Sequence, residues 1–242
     1  MDPERTNMSN SELSSTVILL AVVRMLTFML VVPIHESAHG LMAHWFGDDT
    51  AKDAGRISLN PFAHLDIAGF VIMLFLGVGW AKPVPVNPSK FKKRRLGMAM
   101  VALAGPLSNL IAAFVAAALC MVIACAARTS DIGTVGIAEG MSAAEIAAMF
   151  FYMFAGINVS LAVFNLIPFP PLDGFNIIRS FMPAKFDMWV FRNFRAINTA
   201  FIVLLVLSTR IPVLLVPYYT VRNIVEELLW DSVMWVPKLF GM

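Results

Sequence analysis

His35-Glu36-Ser37-Ala38-His39 stands at the end of a long apolar run, Thr16 to Ile34. No other feature restricts the fold as much. A metal-binding pattern joined to a run of membrane-crossing length belongs on a helix at membrane depth. On a helix, positions i and i+4 share a face, so the rings of His35 and His39 can converge on one cation. Two neutral imidazoles suit Zn²⁺, and the neighbouring Glu36 is placed to take a proton from a zinc-activated water. That set of groups points to a metalloprotease. Two core histidines with satisfied hydrogen bonds are the plainer alternative. Three of the chain's four histidines (His35, His39, His44) fall within ten residues, however, and a glutamate occupies the one slot the chemistry needs. An unpaired charge in such a stretch would be very costly, which favours the metal.

The surroundings agree. The sequence is 59% hydrophobic and 14% charged, with a mean hydropathy of +0.76, far above a soluble domain. An integral membrane protein is expected, all-α, with about four transmembrane helices plus a re-entrant or interfacial segment and short extended stretches. Met1 to Ser15 is polar, of mixed charge, and lacks a basic patch and a cleavage site, so the first apolar run is expected to remain as a helix. Cys120 and Cys125, five apart in one apolar run, suggest neither a disulfide nor a metal pair.

In order, the chain divides into an amino-terminal tail (1–13), a membrane-embedded core (14–218) and an interfacial amphipathic tail (219–242), with Trp230 and Trp235 suited to an interface. The first helix is expected from Ser14 to about Phe46, ended by Gly47. Arg24 within it suits snorkelling or an interhelical pair. A polar, turn-rich stretch follows, in which Arg56 to Leu59 suggests a short strand and Asn60-Pro61 a turn. His64 and Asp66 suit a local turn, or a supporting role around the metal. Ile67 to Ala81 is short and carries Gly69, Gly77 and Gly79, which fits a re-entrant segment. Pro83-Val84-Pro85-Val86 suggests an extended edge.

Lys90, Lys92, Lys93, Arg94 and Arg95 then cluster, and no acid occurs between Asp66 and Asp131. Beside membrane helices this is the positive-inside signal, so the loop is expected to be cytoplasmic and to touch anionic lipid; a nucleic-acid partner is not expected. Leu96 to Ala127 reads as a span interrupted by Gly105-Pro106, Ile146 to Ile167 as a return, and Ala196 to Val216 as a last span.

Two histidines do not close a catalytic zinc site, which takes three protein ligands and an open position. Asp173 is the best third candidate, in a proline-stiffened loop released by Gly174; an Asp-Gly turn without a metal is the alternative. If Ile67 to Ala81 is re-entrant, the charge rule puts the His-bearing helix end and Asp173 on the same cytoplasmic side.

With both motifs placed, the chain resembles the site-2 protease family of intramembrane zinc metalloproteases. The likeness rests on His35 to His39, on Ala104-Gly105-Pro106-Leu107-Ser108-Asn109, and on Asn165 to Gly174 ending in Leu172-Asp173-Gly174. Gly55 to Pro61 and Gly79 to Pro88 look like the compact prokaryotic branch, without the PDZ or CBS domain of larger relatives. The resemblance implies one zinc per chain, held by His35, His39 and Asp173, with Glu36 as general base. It implies that Asn109 and Asn165 position substrate or stabilise an oxyanion; helix-to-helix bonding is their other reading. It also implies hydrolysis in or near transmembrane helices of other membrane proteins, close to the cytoplasmic face, in a multi-pass protein of the prokaryotic inner membrane. A non-catalytic metal-binding membrane protein or divalent-cation transporter is the alternative, and a helix-binding pseudo-protease a third reading.

Overall fold

The computed structural model describes residues 10–70, 80–128 and 142–241. Helix α1 runs from Asn10 to Trp45 with Pro33 inside it. It starts ahead of the expected serine cap and stops where expected. Gly47 adopts φ +99 and its N–H bonds the His44 carbonyl at 2.9 Å, a turn that disfavours any residue with a Cβ. Two short helices follow, α2 (Thr50–Asp53) and α3 (Pro61–His64), the latter capped by Asn60 on the Phe62 N–H.

The expected strand at Arg56–Leu59 does not form, and no strand occurs among the described residues. The reason is local. The Arg56 N–H bonds the Ala51 carbonyl at 2.8 Å, and the Ser58 N–H bonds Ser37 Oγ at 3.1 Å. With those amides taken by a turn and a side chain, no ladder can form. The stretch around Pro83–Val86 is equally unladdered. Lys82 N–H goes to the His64 carbonyl, Val84 N–H to Glu36, and Asn87 N–H to Asp48. Of the Ile67–Ala81 segment, 71–79 lies outside the described residues, so its re-entrant reading is not addressed. The most amino-terminal expected span, Thr16–Ile34, falls mostly on side chains outside the described set, Arg24 among them.

Helix α4 (Arg94–Ala127) is the spine. Helices α1 and α5 (Ala143–Asn165) and the short α6 (Asp173–Arg179) all pack on it. Most of its buried positions are small, among them Gly97, Ala99, Ala102, Gly105, Ala113, Ala116 and Ala117. Its large residues, Leu103, Leu107, Ile111, Phe114 and Leu119, point outward. Small inside and large outside is the arrangement that close helix packing in lipid favours. Contrary to the expected interruption, α4 passes through Pro106 without a break. Proline removes one amide donor, and flanking helices can hold the backbone regardless. A capping box opens α5, in which Ser142 and Glu145 exchange side-chain and backbone bonds.

Helix α7 (Ala184–Arg210) begins three turns earlier than the expected last span. Arg192 and Arg195 are exposed on its surface and do not end it. A charge run marks sidedness, whereas helix continuity follows backbone compatibility. Among the described residues three helices are long and apolar enough to cross a membrane: Arg94–Ala127, Ala143–Asn165 and Ala184–Ser208. The tail folds into α8 (Val216–Ser232) and α9 (Val236–Leu239). Its apolar stripe packs on protein: Val225 and Leu229 against Ala113 and Val159, and Val233 and Val236 against Ala116, Ala117 and Ala155. Trp230 stacks on Tyr152 with centroids 5.3 Å apart, while Trp235 stays half exposed.

Candidate metal centre

The two histidines of α1 face α4, and Asp173 meets them as the first residue of α6. The three donor atoms form a nearly equilateral triangle. His35 Nε2 lies 3.1 Å from His39 Nε2 and 3.1 Å from Asp173 Oδ2; His39 Nε2 lies 3.3 Å from Asp173 Oδ2. Three ligands around tetrahedral zinc at ~2.0–2.1 Å would stand ~3.3 Å apart. No other group of three such donors occurs among the described residues.

The protonation pattern argues for a cation. His39 Nδ1 donates to the Val101 carbonyl at 2.7 Å, and His35 Nδ1 donates to Asn109 Oδ1 at 2.5 Å. With Nδ1 carrying the proton on each neutral ring, both Nε2 atoms are bare lone pairs. They face each other and the carboxylate oxygen of Asp173, which is buried without a hydrogen-bond donor. Three lone pairs converging in a buried site repel unless a metal ion or a proton lies between them. The donor set fits zinc, and the histidines carry the outer hydrogen bonds that metal ligands usually have.

Two glycines make the convergence possible. A Cβ on Gly105 would stand 2.5 Å from His39 Cε1 and Nε2 and 2.6 Å from His35 Cε1. A Cβ on Gly174 would stand 2.1 Å from the Leu166 carbonyl oxygen. Gly105 therefore admits both rings against the spine, and Gly174 lets α6 start directly against the end of α5.

Glu36 lies half-buried beside the triangle on α1, and its Oε2 accepts from the Val84 N–H at 3.1 Å. Ser37, an unspecified position of the motif, ties the following loop to α1: its Oγ donates to the Ser58 carbonyl at 2.6 Å and accepts from the Ser58 N–H. Asp48 is fully buried and gathers Thr50, the Asn87 N–H at 2.5 Å and Lys90 at 3.4 Å. Burial alone would raise its carboxyl, but those donors outweigh burial and hold it below the usual carboxylate range.

The remaining candidate residues lie apart from the triangle. His64 is fully buried, with Nε2 2.8 Å from the Ser58 carbonyl, and Asp66 caps the turn at Gly69. Asn165 ends α5 and donates to the Leu161 carbonyl at 3.0 Å. Asn109 does reach the centre, but through His35 rather than through an open position. Asn158, a fully buried amide on α5, is the residue the sequence reading passes over. Its signal is a polar side chain in the middle of an apolar span.

A sequence model of the family described as peptidase family M50 matches residues 23–209. Among curated relatives, YwhC of Bacillus subtilis (strain 168), by name a candidate zinc metalloprotease, is 41% identical over 158 residues, which cover 65% of this chain and 68% of that protein. No solved structure matches the chain significantly.

Proposed function

The chain belongs to peptidase family M50 and is a membrane zinc metalloprotease; on that premise we propose that it hydrolyses peptide bonds in or near transmembrane helices of other membrane proteins, close to the cytoplasmic face. The observation that carries this reading is the triangle of His35, His39 and Asp173 donors, 3.1–3.3 Å on a side, next to Glu36. In this reading those three residues hold the zinc. Zinc bound there supplies a Lewis acid that acidifies water and polarises the scissile carbonyl.

Glu36 takes the proton of the attacking water and hands it to the leaving amine. The Val84 amide holds one Glu36 oxygen and leaves the other for that transfer. Asn109 serves as an orienter of His35, its amide oxygen accepting from the ring Nδ1. An apolar cleft of about 230 Å³ opens beside Ile34, one residue before His35, lined by Leu30, Leu59 and Phe150, Phe151 and Phe154. Its lining suits apolar side chains of a membrane-spanning substrate. That substrate must unwind locally, because a helical amide is shielded by its own hydrogen bonds. The basic cluster at Lys90–Arg95 supports a cytoplasmic position for this end of a multi-pass protein of the prokaryotic inner membrane.

The test compares wild type with Glu36→Gln in liposomes, with zinc content and cleavage of a panel of single-span helices followed together. Zinc in both proteins and cleavage by wild type alone is the expected result. Cleavage by Glu36→Gln would refute the base assignment. Zinc in both, no cleavage by either and metal flux across the vesicle would replace the protease reading with a transporter.

A further inference from the structure

His39 and His35 are oriented in different ways. The Nδ1 of His39 faces a backbone carbonyl, which can only accept, so its tautomer is settled outright. His35 faces the amide of Asn109, which could present either its oxygen or its NH₂. If the NH₂ faced the ring, His35 Nδ1 would have to accept. Its proton would then sit on Nε2, the atom aimed at Asp173, and His35 could not bind a metal.

What decides the amide's direction lies one helix further away. Asn109 Nδ2 donates to Asn158 Oδ1 at 2.8 Å, and Asn158 Nδ2 donates to the Phe154 carbonyl at 2.8 Å. Both amides are fully buried. Read from its far end, the chain has one polarity. The Phe154 carbonyl can only accept, so Asn158 turns its NH₂ to it and its oxygen to Asn109. Asn109 must then donate to Asn158 and accept from His35. Little water is at hand in an apolar bundle to take over any of these bonds, and an orphaned amide there costs about 1–3 kcal/mol.

We propose that Asn158 is a positioning residue for the metal centre: through Asn109 it fixes the His35 tautomer and keeps Nε2 free for zinc. This rests on His35 being a zinc ligand, so the experiment tests both statements. Zinc affinity of the purified full-length protein is measured by competition with a chromophoric chelator, and the visible spectrum is recorded with Co²⁺ in place of zinc. Thermal midpoints of the metal-free proteins report folding.

Asn158→Leu removes the director and is expected to weaken zinc about 10- to 100-fold, the usual effect of losing an outer-shell partner. Asn158→Asp, protonated at this buried position, keeps an O–H for the Phe154 carbonyl and an oxygen toward Asn109, and is expected to stay within a few-fold of wild type. The decisive variant is Asn109→Asp in the Asn158→Leu background. A carboxylate accepts whichever way it turns, so it needs no director, and it is expected to restore affinity and the Co²⁺ spectrum. Asn158→Ala replaces the leucine variant if the latter does not fold.

Unchanged affinity in Asn158→Leu, or a loss that Asn109→Asp does not restore, would overturn the relay. Equal affinity in wild type and His35→Ala would remove the ligand assignment beneath it and the relay as well.

Discussion

Gly105→Ala should separate the metal centre from the stability of the fold. On an isolated helix the change is favourable by about 1 kcal/mol, because glycine loses more backbone freedom than alanine. Here the new Cβ would stand 2.5 Å from two atoms of His39 and 2.6 Å from His35 Cε1. Carbon contacts settle near ~3.5–4.0 Å, so the rings or the helix must retreat by roughly 1 Å. Neither ring can swing away freely: Val101 holds His39 at 2.7 Å and Asn109 holds His35 at 2.5 Å. A displacement of that size at reacting groups costs about 100-fold in rate. Zinc titration, cleavage of a single-span peptide and thermal unfolding of the metal-free protein read the three consequences. The expected outcome is cleavage down by about 100-fold, zinc affinity reduced, and a metal-free midpoint that falls little or rises. Wild-type zinc affinity and cleavage in Gly105→Ala would refute the claim that this glycine makes room for the two rings.

Two further expectations concern the scaffold. Asp48 has a lowered carboxyl pKa, so its contribution to stability is complete above the ordinary aspartate value near ~3.9 and is lost as pH falls below it toward the lower folded value. Asp48→Asn should therefore lower the thermal midpoint at pH 7, by the equivalent of about 1–3 kcal/mol for buried hydrogen bonds lost, and should narrow the gap between pH 7 and pH 3; an unchanged gap would remove Asp48 as a source of the acid sensitivity. Val233 has no exposed surface and packs with Ala116, Ala117 and Ala155, so Val233→Asp should bury an unpaired carboxylate and release the tail, seen as faster proteolysis at α8; unchanged proteolysis would contradict the tail's docking.

How much of this was legible beforehand depends on the distance over which each feature is determined. His35, Glu36 and His39 follow from helical spacing alone, and Asp173 from the need for a third ligand, because both constraints are written along the chain. The strand expected at Arg56–Leu59 fails because its amides are claimed by Ser37 and Ala51, and no local pattern announces such a competitor. Gly105-Pro106 reads as a break from sequence. It is instead the thinnest point of an unbroken helix, and only the arrival of two rings from α1 reveals why glycine stands there. Arg192 and Arg195 likewise stand exposed within α7 and say nothing of where it begins.

The same apolar surroundings that make the motif easy to find also determine how its partners must behave. In a soluble enzyme a ligand histidine held by an amide can be corrected by water, which donates or accepts as needed. Among helices packed through glycine and alanine, with large residues turned outward, that correction is scarce. Polarity must then be imposed by groups that cannot be reversed. Backbone carbonyls are such groups, and each histidine is referred to one: His39 directly to Val101, His35 to Phe154 through two amides. The longer reference crosses from α1 through α4 to α5, so the packing of those three helices and the protonation of the metal ligand are one structural fact. A shift of α5 along α4 would break the Asn109–Asn158 bond, and His35 would lose its bias toward the zinc-competent tautomer while every residue of the motif remained in place.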